Sequence, residues 1–438
     1  MINGAKHQKG KSFSLLTDAF SALLLVNFTG AVGFSIVMPF LVFLVHQWGG
    51  NALVYGLVGA TYSAFQLIGA PVLGRWSDSF GRKRILALSQ LGTAIGWLIV
   101  LVAFYIPATA ILNVNSSLLG KFTITLPLIL LFFSRAIDGI TSANASVANA
   151  FVADITPEDK RDKRFGKMGV SSNLGYIIGP AFAGILGGTI LGYELPILFA
   201  MGISLLAVTL IFLVLPNPKP CPTGIDTNAT DVLKVMGQEH RSCIHTEAST
   251  KLSSAKLIRL PGVLVFLATY FLIMLAFNFF YIAFPVQAAT EMHWSVKHTG
   301  VFFSEMSLFM VVVQGFILPR LSKRWSDRRL VCVGAFVLGF GFLALAPAND
   351  WITFVSAILI AVGNGIMWPP IVSLLSKAAG KNQGAVQGLA GSVGATASII
   401  GMVLGGLLYN FLNDWLFVFS SVLIFAVIFL SGWFPQKK

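Results

Sequence analysis

Arg135 and Asp138 stand three residues apart inside a long apolar run, and Glu305 stands inside another. Charge in hydrocarbon is expensive, so such residues carry a functional expectation by default. On a helix, a guanidinium and a carboxylate at this spacing meet. Burial favours the neutral carboxyl and Arg135 favours the carboxylate, so the pair can take up and lose a proton as access changes. The plainer alternative is a neutralised pair that only orders the bundle, but packing alone needs neither charge. Glu305 lies about eight residues into its run, roughly 12 Å along the axis at the helical rise. Of the 17 acids, only Asp138 and Glu305 fall well inside an apolar run. Either one is the candidate proton carrier, with Arg135 as the third member of the coupling set.

A second constellation joins two apolar runs: Gly74-Arg-Trp-Ser-Asp78-Ser-Phe-Gly81-Arg82-Lys83-Arg84, expected as a loop too short to leave the membrane surface. An aspartate there can cap the N-terminus of a neighbouring helix. Arg82 offers a carboxylate a fork that lysine cannot copy, and the glycines keep side chains out of the crossing. Such a stretch can latch one conformation and release in another. Within the runs, Asn27, Asn144, Asn278, Tyr281, Gln314, Asn364 and Trp368 are the candidates for lining a substrate cavity. Gly56, Gly59, Gln66 and Gly69 mark a packing face, and the tandem Pro369-Pro370 is expected to break helix bonding.

The elements that must position these residues follow from composition. Hydrophobic residues make up 56% of the chain and charged residues 11%, and the mean hydropathy is +0.81; an ordinary soluble domain is excluded. A helix needs about 20 apolar residues to span a bilayer. Twelve such runs can be placed, spans 1 to 12, near 20–45, 53–75, 84–106, 124–151, 168–190, 194–215, 262–287, 297–318, 330–347, 351–376, 386–410 and 415–434. The fold class expected is an all-α polytopic membrane protein of two pseudo-symmetric six-helix bundles. The domains are a tail at 1–19, a bundle at 20–215, a polar linker at 216–261, a second bundle at 262–434 and a tail at 435–438.

A net charge of +13 first points to an acidic partner such as nucleic acid. Its distribution points elsewhere, because 27 of the 30 Lys and Arg fall in the tails and alternate loops of one side. Under the positive-inside rule both termini are cytoplasmic, and the protein belongs in the inner or plasma membrane. No nucleic-acid partner is expected. Cys221, Cys243 and Cys332 have no metal spacing and read as free thiols. His240 and His245 beside Cys243 lack the second cluster a metal site needs. There is no Walker motif and no paired nucleophile and base, so neither a cofactor nor an enzyme activity is expected.

The second half repeats the first. Gly166-x-x-Gly169…Gly179…Gly184 recurs as Gly388-x-x-Gly391…Gly401…Gly406 at a constant offset of 222, and Arg75-Trp-Ser-Asp78 recurs as Arg324-Trp-Ser-Asp327. Two equivalent halves are expected of a transporter with its site at their interface.

The stretch from Gly74 to Arg84 resembles the G-x-x-x-D-x-x-G-R-[KR] signature of the major facilitator superfamily. Gly175, Gly179, Pro180 and Gly184 resemble the helix-5 motif of its proton-coupled exporters. With Arg135, Gly139 and Ala153-Asp154-Ile-Thr, residues 71–188 look like the tetracycline-exporter branch. The resemblance implies alternating access, export of a small organic molecule against proton entry, a cytoplasmic charge relay of Asp78, Arg82 and Asp154, and an assisting role for Arg135. That branch carries an acid in span 1 where this chain has Gly30, and Asp138 is not part of its pattern; proton carriage would then move to Asp138 or Glu305. The expected partners are a small amphipathic substrate, protons and the bilayer, with the chain acting as a monomer. The rival readings are uptake by symport or uniport on the same fold, and a non-transporting membrane sensor.

Overall fold

The computed structural model describes residues 19–434 except 143, 157, 190, 216–256, 259 and 380–382. The linker with Cys221, Cys243, His240 and His245, and both tails, lie outside the described residues.

Twelve helical spans cross in alternating directions. Ten are long and apolar enough to traverse a membrane by themselves. The other two, Asp327–Leu343 and Trp415–Ser431, have 17 residues each, at the lower limit for a span. Each half buries its own polar seams. Spans 1 and 5 are joined by Asn27 Nδ2 to Met168 O (2.9 Å) and Ser172 Oγ (2.6 Å), and by Ser35 Oγ to Gly175 O (3.0 Å). In the second half Asn278 Nδ2 reaches Ser398 Oγ on span 11 at 3.2 Å.

Several elements differ from the sequence reading. Span 1 is interrupted between Ala19–Ser35 and Met38–Gln47, just ahead of Pro39, whose ring forbids a regular helix through the preceding turn. Span 4 is interrupted between Leu126–Thr141 and Asn144–Asp154. The carbonyl freed at Thr141 accepts the Ser89 hydroxyl at 2.5 Å, the kind of side-chain rescue that lets irregular backbone sit at depth. The tandem proline, by contrast, breaks nothing: Asp350–Ala379 is one helix. Met367 and Ile371 beside it are fully buried, and packing holds the helix where the prolines remove backbone donors.

The stretch expected as a loop from Gly74 is helical to Phe80. Nothing between Arg75 and Phe80 breaks a helix. The chain turns on Gly81 alone, at φ +97°, and span 3 begins at Arg82. The expected connector between spans 3 and 4 is also structured. It forms an antiparallel hairpin, β1 (Ala110–Ser116) and β2 (Gly120–Thr125), in register from Leu112↔Ile124 to Ser116↔Gly120. Asn51 caps span 2, accepting from Val54 N at 3.1 Å, and its amide also donates to Leu119 O at the hairpin tip (3.0 Å). Asn410 of span 11 donates to the same carbonyl at 3.4 Å. The hairpin therefore ties the two halves at one face.

The halves meet along two seams. On the hairpin side Gly406 of span 11 lies against Ala52 and Leu53 of span 2, and Gly300 of span 8 lies against Gly184 of span 5, close enough that a Cβ at Gly300 would stand 2.5 Å from the Gly184 Cα. Toward the other face the corresponding glycines, Gly166 and Gly169 on span 5 and Gly388 and Gly391 on span 11, have nothing within 4 Å. The seams close at the hairpin and open toward the Arg82 face.

Candidate functional site

The site is built around the broken span 4. Its turn count puts Arg135 and Asp138 on one face, about 14 Å from the hairpin-side end at the helical rise. Both are buried, and Arg135 Nη1 lies 3.2 Å from Asp138 Oδ2. The other carboxylate oxygen accepts the Thr93 hydroxyl at 2.7 Å. Trp97 of span 3 stacks under the guanidinium, 4.3 Å from its ring centroid, an arrangement that stabilises a desolvated cation. Ser134 Oγ accepts from Nη2 at 3.4 Å. The Arg135 Nε–H is buried with no partner among the described residues.

Arg135 forms part of the wall of a cavity of about 170 Å³ between the halves. Phe34, Tyr62, Gln66, Ser398 and Met402 line it as well. Tyr62 Oη lies 2.7 Å from Ser142 Oγ at the break in span 4, and Gln66 Nε2 donates to the same hydroxyl at 3.1 Å. The interruption thus presents a hydroxyl that two residues of span 2 read. Gln66, expected on a packing face, is a wall residue. Tyr62 and Gln66 sit at i, i+4, so their shared face was a signal available in the sequence. Thr93 and Trp97 left none, because what singles them out is that span 3 packs on span 4.

None of the seven cavity candidates is among the residues lining this cavity. Asn27 and Asn278 make the span 1–5 and span 7–11 bonds described above. Tyr281 accepts the Tyr55 hydroxyl at its backbone carbonyl (3.2 Å), a link between halves. Gln314 Oε1 accepts from Asn173 Nδ2 at 3.5 Å, also across the seam. Trp368 packs on Tyr270 at 5.1 Å. Asn364 Nδ2 approaches Met310 Sδ at 3.9 Å, and Asn364 Oδ1 and Asn144 Oδ1 are buried without partners among the described residues. Glu305 is half-buried on span 8, about nine residues from its hairpin-side end, at the same depth as Arg135. It has no ion-pair partner among the described residues.

At the opposite face, Arg82 gathers the latch residues. Nη1 pairs with Asp78 and donates to Ser77 Oγ at 2.6 Å, and Nε lies 3.0 Å from Asp154 at the end of span 4. Asp78 therefore serves Arg82 rather than a neighbouring helix end. Lys83 Nζ donates to Phe212 O (2.9 Å) and Leu215 O (2.7 Å), closing the C-terminus of span 6, where unpaired carbonyls favour a cation. The second half has the same link with its charges exchanged: Asp327 follows span 8 and pairs at 2.6 Å with Lys377 on span 10. Gly175 and Gly179 seat span 5 on span 1, and Gly184 seats it on span 8; Pro180 lies inside the continuous helix Glu158–Gly187.

Paired six-helix halves, a charged cavity between them and a charge-linked turn at Gly81 coincide with a family match: a profile of the Major Facilitator Superfamily matches residues 23–325 and 266–438. The chain belongs to the Major Facilitator Superfamily. It is similar to the class E tetracycline resistance protein of Escherichia coli, 29% identical over 425 residues that cover 94% of this chain and 95% of that protein. It is 24% identical to multidrug resistance protein 2 of Bacillus subtilis (strain 168), over 100% of this chain and 98% of that one. In fold it is similar to a D-xylose-proton symporter, with a TM-score of 0.69 and 15% identity over 97% of this chain and 98% of that chain. The protein is a multi-pass secondary transporter of small molecules, not an enzyme.

The transporter carries a further titratable cluster where spans 7 and 11 end on the hairpin side, with Glu291 and Asp414 just beyond the helix ends. Gln287 Nε2 donates to Asp414 Oδ1 at 2.8 Å, and Tyr409 donates to Glu291 Oε1 at 3.3 Å. Burial, and then the charge and hydrogen bond of Glu291, push the Asp414 carboxyl up from 3.8 to about 6. An acid raised in the folded state binds more protons folded than unfolded. Stability from this group is therefore present at low pH and lost as pH rises through the window from about 4 to about 6. Asp414→Asn is expected to flatten that dependence and to raise the unfolding midpoint at neutral pH by about 2 °C. Thermal unfolding followed from pH 4 upward checks it; an unchanged curve would assign the dependence to another group.

Proposed function

We propose that this transporter exports a small amphipathic organic compound against proton entry, by alternating access, as the tetracycline resistance relatives are named for resistance to their drug. The observation that carries the reading is the buried Arg135–Asp138 pair on the wall of a cavity that lies between the halves. The excess of lysines and arginines on the Arg82 face supports its lying on the cytoplasmic side of the inner or plasma membrane. The seams then describe an inward-facing state, loaded from the cytoplasm. Asp138 or Glu305 takes the proton from outside after cargo leaves, and a difference in binding free energy between the two states couples the fluxes.

The test is proton flux in proteoliposomes under an imposed pH gradient, across a panel of drugs, siderophores and metabolites. Antiport gives cargo-evoked proton movement opposite to cargo, lost in Asp138→Asn or Glu305→Gln. Movement of both in one direction would make the protein a symporter, and cargo flux indifferent to pH a uniporter.

In this reading Asp78, Arg82 and Asp154 hold the cytoplasmic face of the first half as one body while the halves rock. Asp78 and Asp154 are about half exposed, so each pair contributes at most about 1 kcal/mol. Asp78→Asn is accordingly expected to slow turnover by roughly two- to fivefold with normal membrane insertion. Turnover equal to wild type in well-inserted protein would remove the latch role.

A further inference from the structure

The cavity wall shows one sign of charge. Asp138 is nearby, yet both of its oxygens are occupied, one by Thr93 and the other by Arg135. Arg135 is the charged residue on the wall, and its Nε–H is a buried donor with no partner among the described residues. A guanidinium offers its N–H groups as a planar fork that matches two oxygens of a carboxylate or an enolate. A buried donor without a partner is costly until something accepts from it. The remaining wall is aromatic and apolar at Phe34, Tyr62 and Met402, with amide and hydroxyl groups at Gln66 and Ser398.

We infer that the cargo is an amphipath with an acidic or enolic oxygen, which docks on the Arg135 guanidinium with its ring against Phe34, Tyr62 and Met402. This rests on reading the cavity as the cargo site. A cation would meet the guanidinium instead of a carboxylate and is disfavoured there.

The assignment divides the labour between the two intramembrane acids. Cargo on Arg135 competes with Asp138 for the same cation, so protonating Asp138 releases Arg135 and tightens cargo. By linkage, cargo then tightens the proton equally. Arg135 and Tyr62 are the titratable groups facing Asp138. Binding that is mutually favourable moves cargo and proton together. Export against proton entry therefore needs the displaced proton on Glu305, which lies at the same depth on span 8 and has no ion-pair partner among the described residues. Asp138 sets affinity.

Three probes of one size test this on the purified full-length protein: benzoate, benzamide and benzylammonium, titrated calorimetrically. Benzoate should bind at least tenfold tighter than benzylammonium, about 1.4 kcal/mol, with benzamide between them. Asp138→Asn should tighten benzoate at least threefold, and Arg135→Gln should bring benzoate to the level of benzamide. Should Arg135→Gln fail to fold, Asp138→Asn, which keeps the guanidinium, still decides. Equal binding of all three probes, benzylammonium binding tightest, no detectable benzoate binding, or benzoate unchanged in Asp138→Asn would each overturn the assignment. The titration needs no gradient, so its failure leaves proton coupling to be judged by flux alone.

Discussion

Arg135→Ala is expected to stop transport and to destabilise the folded protein, and Asp138→Asn in the same chain is expected to restore the stability but not the transport. The single substitution leaves Asp138 charged and buried with only Thr93 to donate to it, and removes the cation stacked on Trp97. Breaking a buried pair from one side costs about 3–5 kcal/mol. Neutralising the stranded carboxylate recovers most of that, because an amide in its place still accepts from Thr93. Transport has no such rescue: the cavity keeps no charge to recognise cargo. Cargo-evoked flux should fall by at least about 100-fold, which is 2.8 kcal/mol on the transport barrier at 1.4 kcal/mol per decade. Thermal unfolding of both variants, beside flux in proteoliposomes, separates the two effects. Full flux in Arg135→Ala would show that the pair only orders the bundle, and a double variant as unstable as the single one would show that the cost lies in the lost stack on Trp97.

The sequence made the spans legible because a lipid solvent permits only long apolar helices, and their lengths and order were readable from hydropathy. Where one residue decides, reading failed in both directions. Pro39 interrupts span 1 whereas Pro369-Pro370 leave span 10 whole, and the difference is made by neighbours in space, not by the prolines. The hairpin was legible only locally: Leu112 to Asn115 alternates in character, and Gly120 at φ +75° permits its turn. Against twelve apolar runs, thirteen residues of strand read as connector.

The site divides in the same way. Arg135, Asp138 and Glu305 announced themselves, since a charge in an apolar run is conspicuous whatever it touches. Asn27 and Asn278 were conspicuous for the same reason, yet their amides tie spans 1 to 5 and 7 to 11. Polarity at depth does not by itself distinguish a side chain that ties two spans from one that meets cargo. Phe34, Met402 and Ser398 line the cavity and look like any membrane residue; only the approach of span 11 to spans 1 and 2 selects them.

The closure of the halves at the hairpin side can be tested by reversing it. Gly300 and Gly184 let spans 8 and 5 touch at the hairpin side, and a Cβ at Gly300 would stand 2.5 Å from Gly184 Cα and 2.8 Å from its nitrogen. Both contacts are to backbone, so no rotamer change relieves them and the spans must part. Gly300→Val is therefore expected to open the hairpin-side seam while each half keeps its own core. Gly391→Val should act the other way. Nothing lies within 4 Å of Gly391 here, so valine fits this state and obstructs only one in which the Arg82-side seam closes. Spin labels at Ser117→Cys and Trp351→Cys, with the three native cysteines replaced, report the distance between halves at the hairpin face. It should lengthen in Gly300→Val and stay short in Gly391→Val, with cargo flux reduced at least tenfold in both, since each variant disfavours one of two required states by about 1.4 kcal/mol or more. An unchanged distance in Gly300→Val would mean that the glycine contact merely accompanies closure. Flux equal to wild type in Gly391→Val would mean that the open glycines of span 11 face lipid instead of the opposing half.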